Sequence, residues 1–188
     1  MSSSVKPNLI GLTREGLKTA LAGAGIEAKH LSMRAGQLWN ALYVQGATDF
    51  EQVTTLAKPL RRELSEKFSL SRPEIVAAQT SDDGTRKWLI RFGPGIEIET
   101  VFIPDEERGT LCVSSQVGCT LNCRFCHTGT QKLVRNLTSH EIVSQLMVAR
   151  DSLAEWPHAG AKSEDRQITN VVMMGMGEPL YNFENVRD

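Results

Sequence analysis

The sequence predicts an α/β protein in two parts: a small helical domain, then a β-hairpin leading into one βαβ unit. Three observations carry this expectation. Residues Leu12 to Leu70 place apolar side chains at helical spacing between caps and breakers. Trp88 to Ile103 alternates with period two around Gly93-Pro94-Gly95. Beyond Leu111, two apolar runs flank a capped helical segment, the pattern of a parallel strand pair with its crossover. The chain divides accordingly into a helical accessory domain over 1–78, a connector with a hairpin over 79–104, and the start of a core domain over 105–188.

Within the helical part, Ala35, Leu38, Trp39 and Leu42 fall at i, i+3, i+4 and i+7, one apolar stripe behind an expected cap at Ser32. Gly46 ends that pattern. Thr48 with Glu51 has the capping-box spacing, and Phe50, Val53 and Leu56 supply the buried face behind it. Pro59 suits a first helical turn, with Leu60, Leu64 and Phe68 following at spacing four. These apolar side chains are expected to form core.

The stretch from Gln79 to Arg86 reads as a turn-rich connector, followed by strands over Trp88–Phe92 and Ile96–Ile103. Alternation puts Ile96, Ile98, Thr100 and Phe102 on one face and Glu97, Glu99, Val101 and Ile103 on the other. Glu99 thus shares a side with apolar residues. Two readings stand for it: a partly desolvated carboxylate placed for proton transfer, or an ordinary exposed hairpin acid. Leu111–Val117 reads as an apolar strand. Thr138 with Glu141 forms a second capping box, opening a helix with Ile142, Val143, Leu146 and Met147 as its apolar face. A polar linker over 160–166 leads to an expected buried strand over Ile168–Met174.

With 188 residues, 40% of them hydrophobic and 23% charged, and a formal net charge of −1, the chain has the composition of an ordinary globular protein. No apolar run approaches a membrane span, and Met1 to Lys6 lacks the apolar core of a secretion signal, so no membrane partner and a cytoplasmic location are expected. The four cysteines, three of them clustered, favour metal or redox chemistry over a disulfide scaffold.

That cluster is the most informative feature. Cys119, Cys123 and Cys126 stand as C-x3-C-x2-C directly after a strand. Three thiolates are one ligand short of a closed four-iron or zinc site, so a four-iron cluster on them keeps one iron open. The alternative is a zinc knuckle completed by His127 or Cys112. It is disfavoured because no second short Cys/His pair follows and His127 directly adjoins Cys126. A second chemical signal, Gly175-Met176-Gly177-Glu178-Pro179, falls at the end of the next expected strand, where α/β folds place ligands. Its glycines allow close backbone approach, and its glutamate can accept from an ammonium.

These two signals, one βα unit apart, resemble the radical S-adenosylmethionine superfamily, with its partial (β/α) barrel. The stretch from Glu99 to Thr138, with ITNVVMMGMGEPL downstream and RAGQLWNALYVQGATDFEQVTTLAKPLR upstream, more closely resembles the bacterial dual-specificity ribosomal and transfer RNA adenine-C2 methyltransferases. The resemblance implies that Cys119, Cys123 and Cys126 hold a 4Fe-4S cluster and that Gly177 and Glu178 contact S-adenosyl-L-methionine. It makes Glu99 the proton acceptor and Cys112 a resolving thiol. In such enzymes a methyl group is first placed on a late cysteine. A 5'-deoxyadenosyl radical then takes a hydrogen from that methyl, and the carbon radical adds to adenine C2. Cys112 then resolves the protein–RNA adduct by forming a disulfide. The radical route suits an electron-poor carbon that does not attack a sulfonium methyl directly.

The implied partners are ribosomal RNA, transfer RNA and an electron donor such as flavodoxin, with the protein itself a monomer. Arg34, Lys58, Arg61, Arg62 and Arg72 are the basic residues expected to meet phosphates. The sequence has no cysteine after Cys126, so it reads as an N-terminal portion without the methyl-carrying thiol, expected to be inactive alone. The related adenine-C8 methylating resistance enzyme and a non-catalytic, metal-stabilised RNA-binding module remain as alternatives.

Overall fold

The computed structural model describes residues 6–106, 108–121, 123–157 and 166–187. The expected linker over 160–166 lies, except for Arg166, outside them, as do Met1 to Val5 and Asp188. The chain forms two compact units, Met1–Arg72 and Pro73–Asp188.

In the first unit three helices, α1 (Arg14–Gly23), α2 (Ala28–Tyr43) and α3 (Lys58–Lys67), surround a core that includes Leu17, Leu21, Leu38, Leu42 and Leu64, each with no exposed surface. Burying a leucine side chain contributes about 1.5–3 kcal/mol, so this small set accounts for much of the cohesion. Thr13 caps α1 by accepting from Gly16 N at 3.1 Å. The cap expected at Ser32 is displaced: α2 begins five residues earlier, after Glu27. The cause is Gly25, whose φ of +94° turns the chain sharply after α1 and leaves little to traverse before the next helix. The Thr48–Glu51 box is also displaced. Asp49 accepts from Glu51 N and Gln52 N, and only a 3-10 turn, Phe50–Gln52, follows. Phe50, Val53 and Leu56 are buried as expected.

The second unit is built on a five-stranded sheet. In chain order its strands are β1 (Glu74–Thr80), β2 (Arg86–Gly93), β3 (Ile96–Pro104) and β4 (Gly109–Cys112). A short ribbon of β5 (Gln116–Val117) and β6 (Arg135–Asn136) follows, then α4 (Ser139–Ser152), β7 (Asn170–Val172) and α5 (Phe183–Arg187). The order across the sheet is β1-β2-β3-β4-β7, antiparallel except for the β4–β7 pair. The α/β class and the βαβ unit therefore hold, within a sheet that is mostly antiparallel.

Three differences from the sequence expectations have physical causes. Strand β1 was not expected: its seven residues are all exposed, so it is held by its ladder to β2 and not by an apolar face. The expected strand Leu111–Val117 is broken at Val113–Ser115, where the chain leaves β3 and turns to pair with β6. The expected buried strand Ile168–Met174 shortens to three residues at the sheet edge. There Ile168 is buried, while Val171 is 49% and Met174 78% exposed.

Helix α4 carries the full capping box, Thr138 Oγ1 accepting from Glu141 N and Glu141 Oε2 accepting from Thr138 N. Its most buried side chains are not the expected apolar set. Of the expected residues Met147 is buried while Ile142, Val143 and Leu146 are half-buried; Ser144, Gln145, Val148 and Ala149 are buried as well. Gln145 turns inward because it is satisfied there: Oε1 accepts from Ser114 N and Thr100 Oγ1, and Nε2 donates to Ser114 O.

Candidate functional site

The cysteine loop is tied at its neck. Val117 pairs with Arg135, Cys119 N donates to Gln131 O at 3.3 Å, and Cys119 bridges Lys132. Gly118 adopts φ +78° there, and a Cβ on it would run into the Lys132 carbonyl, so the close crossing requires glycine. Inside the loop, Cys126 N donates to Cys123 O at 3.1 Å and Gly129 N to Cys126 O at 3.1 Å, turning the chain into a 3-10 segment, His127–Thr130. Leu121 N donates to Cys119 Sγ.

All four cysteines are free thiols of intermediate exposure. The N–H of Gly129, with lesser help from Thr128, holds the Cys126 thiol below its ordinary range. Among the described residues no three Cys, His, Asp or Glu side chains converge into a preformed metal site. The donor set still suits an iron–sulfur group in kind: three unpaired thiols on one short loop, tied in by backbone bonds at its neck. His127 is exposed at the start of the 3-10 turn.

The second loop, Gly175–Glu178, is fixed by buried partners. Gly175 N donates to Val113 O, Met176 N donates to Ser114 Oγ, and Met176 O accepts from Ser115 N and Gln116 N. Gly177 has φ +92°, and a Cβ there would sit 2.5 Å from Gln116 Cβ. Glu178 N donates to Gln116 Oε1 at 3.0 Å, while its carboxylate accepts from Leu180 N and caps the turn Pro179–Asn182. The cysteine loop thus follows β5, outside the main sheet, while the Gly175–Glu178 loop follows β7, the strand that runs parallel to β4.

Glu99 and Cys112 share one face of the sheet. Cys112 sits opposite Val101, two residues along β3 from Glu99, on the side away from buried Ile98, Thr100 and Phe102. The Glu99 side chain is 48% exposed and ion-paired with Lys87 at 3.0 Å, the environment of an accessible hairpin acid. Its backbone is clamped on both sides, O accepting from Ser114 Oγ at 2.6 Å and N donating to Met176 Sδ at 3.4 Å. Burial pushes the Cys112 thiol up, which keeps it protonated near neutrality.

Sequence reasoning missed Ser114, Gln116, Asn136 and Gln145. The available signal was the polar triplet Ser114-Ser115-Gln116 inside an otherwise apolar run, all three buried. It also overestimated the basic surface of the helical unit. Arg61 is buried, donating to Glu51 O and pairing with the Glu51 carboxylate. Arg72 donates to the carbonyls of Gly46, Ala47 and Leu70. Arg62, 83% exposed in its side chain, faces solvent as expected.

Residues 7–70 match the family described as the ribosomal RNA large subunit methyltransferase N-terminal domain. The dual-specificity RNA methyltransferase RlmN of Parvibaculum lavamentivorans is 64% identical, with 99% of this chain and 48% of that protein covered. Those of Rhodopseudomonas palustris and Agrobacterium fabrum are 61% and 58% identical, over 97% and 98% of this chain and 48% of each relative. The crystal structure of a radical SAM methyltransferase from Sphaerobacter thermophilus superimposes with a TM-score of 0.81 at 40% identity, covering 96% of this chain and 50% of that one. The chain spans about half the length of the relatives it matches, and along its own length it is similar to the dual-specificity RNA methyltransferases.

Proposed function

We propose that this chain supplies the cluster-bearing half of a radical S-adenosylmethionine enzyme that methylates adenine C2 in ribosomal and transfer RNA. The observation that carries the reading is the pairing of two loops. Three free thiols stand on one, the other is a glycine–glutamate turn, and a single buried side chain bridges them. Cys119, Cys123 and Cys126 would hold a 4Fe-4S cluster, which supplies the electron that cleaves the sulfonium cofactor. Gly177 and Glu178 would receive the amino group of that cofactor, close backbone approach and an acceptor carboxylate being what an ammonium needs.

Glu99 lies on the sheet face that carries Cys112, accessible enough to take the C2 proton from an RNA adduct. Cys112 would then bond its sulfur to the adduct sulfur, releasing the methylated base as the carbon–sulfur bond breaks and a disulfide forms. The hydrogen of the Cys112 thiol would pass to the carbon that leaves sulfur, completing the methyl group. The thiol that carries the methyl group is not among these residues. No helix among the described residues is long and apolar enough to cross a membrane. A reductant such as flavodoxin would deliver the electron to a monomeric enzyme.

Anaerobic reconstitution with iron and sulfide tests the site. The expected result is about four irons per chain and a paramagnetic spectrum that changes on adding S-adenosylmethionine. Stoichiometric zinc with no cluster would overturn the reading. Mass spectrometry of adenosine modified by the parent enzyme separates C2 from C8 chemistry, with 2-methyladenosine expected.

A further inference from the structure

Gln116 is 1% exposed, and the described structure uses both ends of its amide. Oε1 accepts from Glu178 N at 3.0 Å and from Thr120 Oγ1 at 3.1 Å, while Nε2 donates to Asn136 Oδ1 at 2.7 Å. Asn136 Nδ2 donates in turn to Tyr181 O at 3.0 Å, and Tyr181 N donates to Glu178 O at 3.1 Å. These bonds close a ring: Gln116, Asn136, Tyr181, Glu178 and back to Gln116. Flipping the Gln116 amide sets donor against donor at Glu178 and acceptor against acceptor at Asn136, so the ring has one orientation.

The surrounding backbone conforms to the same side chain. Gly177 must lack a Cβ because Gln116 Cβ, Cγ and N occupy that space. Thr120 adjoins Cys119, so one oxygen of Gln116 touches the start of the cysteine loop and the backbone of the glutamate loop together.

We propose that Gln116 is a positioning residue that holds the cysteine loop and the Gly175–Glu178 loop in a single register. It rests on the functional reading above only for its purpose, which is to keep a cluster and an amino-group acceptor at a fixed separation. Free rotation of either loop would spend binding energy on ordering, and a satisfied buried amide removes that cost in advance.

The test uses the 188-residue chain without metal or cofactor, so its failure leaves the proposed function standing. Amide hydrogen exchange, read by mass spectrometry, is followed around Thr120, around Gly175–Tyr181 and, for reference, in β1 and β2. Gln116→Met keeps the volume and removes all three amide bonds. Exchange is expected to rise about tenfold at both loops, the scale of one net buried hydrogen bond, with the reference strands unchanged.

Gln116→Glu keeps the two accepted bonds and loses the donated one, so protection at Gly175–Tyr181 should fall between wild type and Gln116→Met. Asn136→Leu opens the ring from its other corner and should loosen Gly175–Tyr181 with Gln116 intact. The proposal is overturned if either loop keeps wild-type protection in Gln116→Met, if the reference strands accelerate equally, or if Gln116→Glu is as unprotected as Gln116→Met.

Discussion

The two loops at the strand ends are built on opposite plans. The cysteine loop is tied at its neck by backbone bonds and carries half-exposed thiols, with Phe125 at 94% exposure between two of them. The Gly175–Glu178 loop is seated on the buried side chains Ser114 and Gln116, with Asn182 just behind it donating to Ser115 O and Leu137 O. One loop leaves its reactive groups to be gathered by what they bind; the other is set by packing before anything arrives. The difference teaches that substitutions in the first should spare folding and abolish binding, whereas substitutions in the second should cost stability.

The largest expected effect comes from the first loop. Cys123→Ser should reduce reconstituted iron to near background while shifting unfolding free energy by no more than about 0.5 kcal/mol, as for a surface substitution. Iron analysis beside urea unfolding checks both halves. A loss of several kcal/mol would break the contrast.

Gly177→Ala is the matching change in the second loop. A side chain there meets Gln116 and an unfavourable positive φ together, for a cost of about 2–3 kcal/mol by urea unfolding. A neutral result would mean that the loop is as loosely seated as its neighbour.

A third change tests the frame that both loops share, through the Arg135–Glu141 pair at 2.6 Å beside the cap of α4. Burial alone would raise the Glu141 pKa. The two-point contact with Arg135 and the Thr138 N–H outweigh it and hold the carboxyl below its ordinary value of 4.5. A depressed folded pKa contributes stability that is present above the unfolded value and lost as pH falls through the folded one. Glu141→Gln should therefore cost about 1–2 kcal/mol at pH 7, with the gap to wild type closing below about pH 4. Thermal unfolding across that range reads it.

The smallest effect lies far from both loops. Arg62→Glu should leave stability within about 0.5 kcal/mol and flatten the salt dependence of RNA binding by about one to two counterions. Binding of transfer RNA measured at several salt concentrations checks it, and an unchanged slope returns Arg62 to ordinary surface.

What could be read from the sequence followed the range of the interaction. The Thr138–Glu141 box and the Gly93–Gly95 turn are local, each complete within a few residues, and each stands where the residues placed it. Gln145 and Gln116 were invisible because their partners lie 31 and 62 residues away, at Ser114 and Glu178. A buried amide looks polar and therefore superficial until its partners are known. Arg61 misled for the same reason, its charge being absorbed by Glu51 ten residues away. Strand β1 gave no periodic signal because neither of its faces is buried.

Strand β7 has a consequence for handling the protein. It joins β4 on one side, and no strand among the described residues lies on its other side, where Val171 is half-exposed. A row of free peptide groups accepts any extended segment of matching length, including the same strand from another molecule. Repeating a titration at several protein concentrations therefore separates binding at the two loops from pairing at this edge.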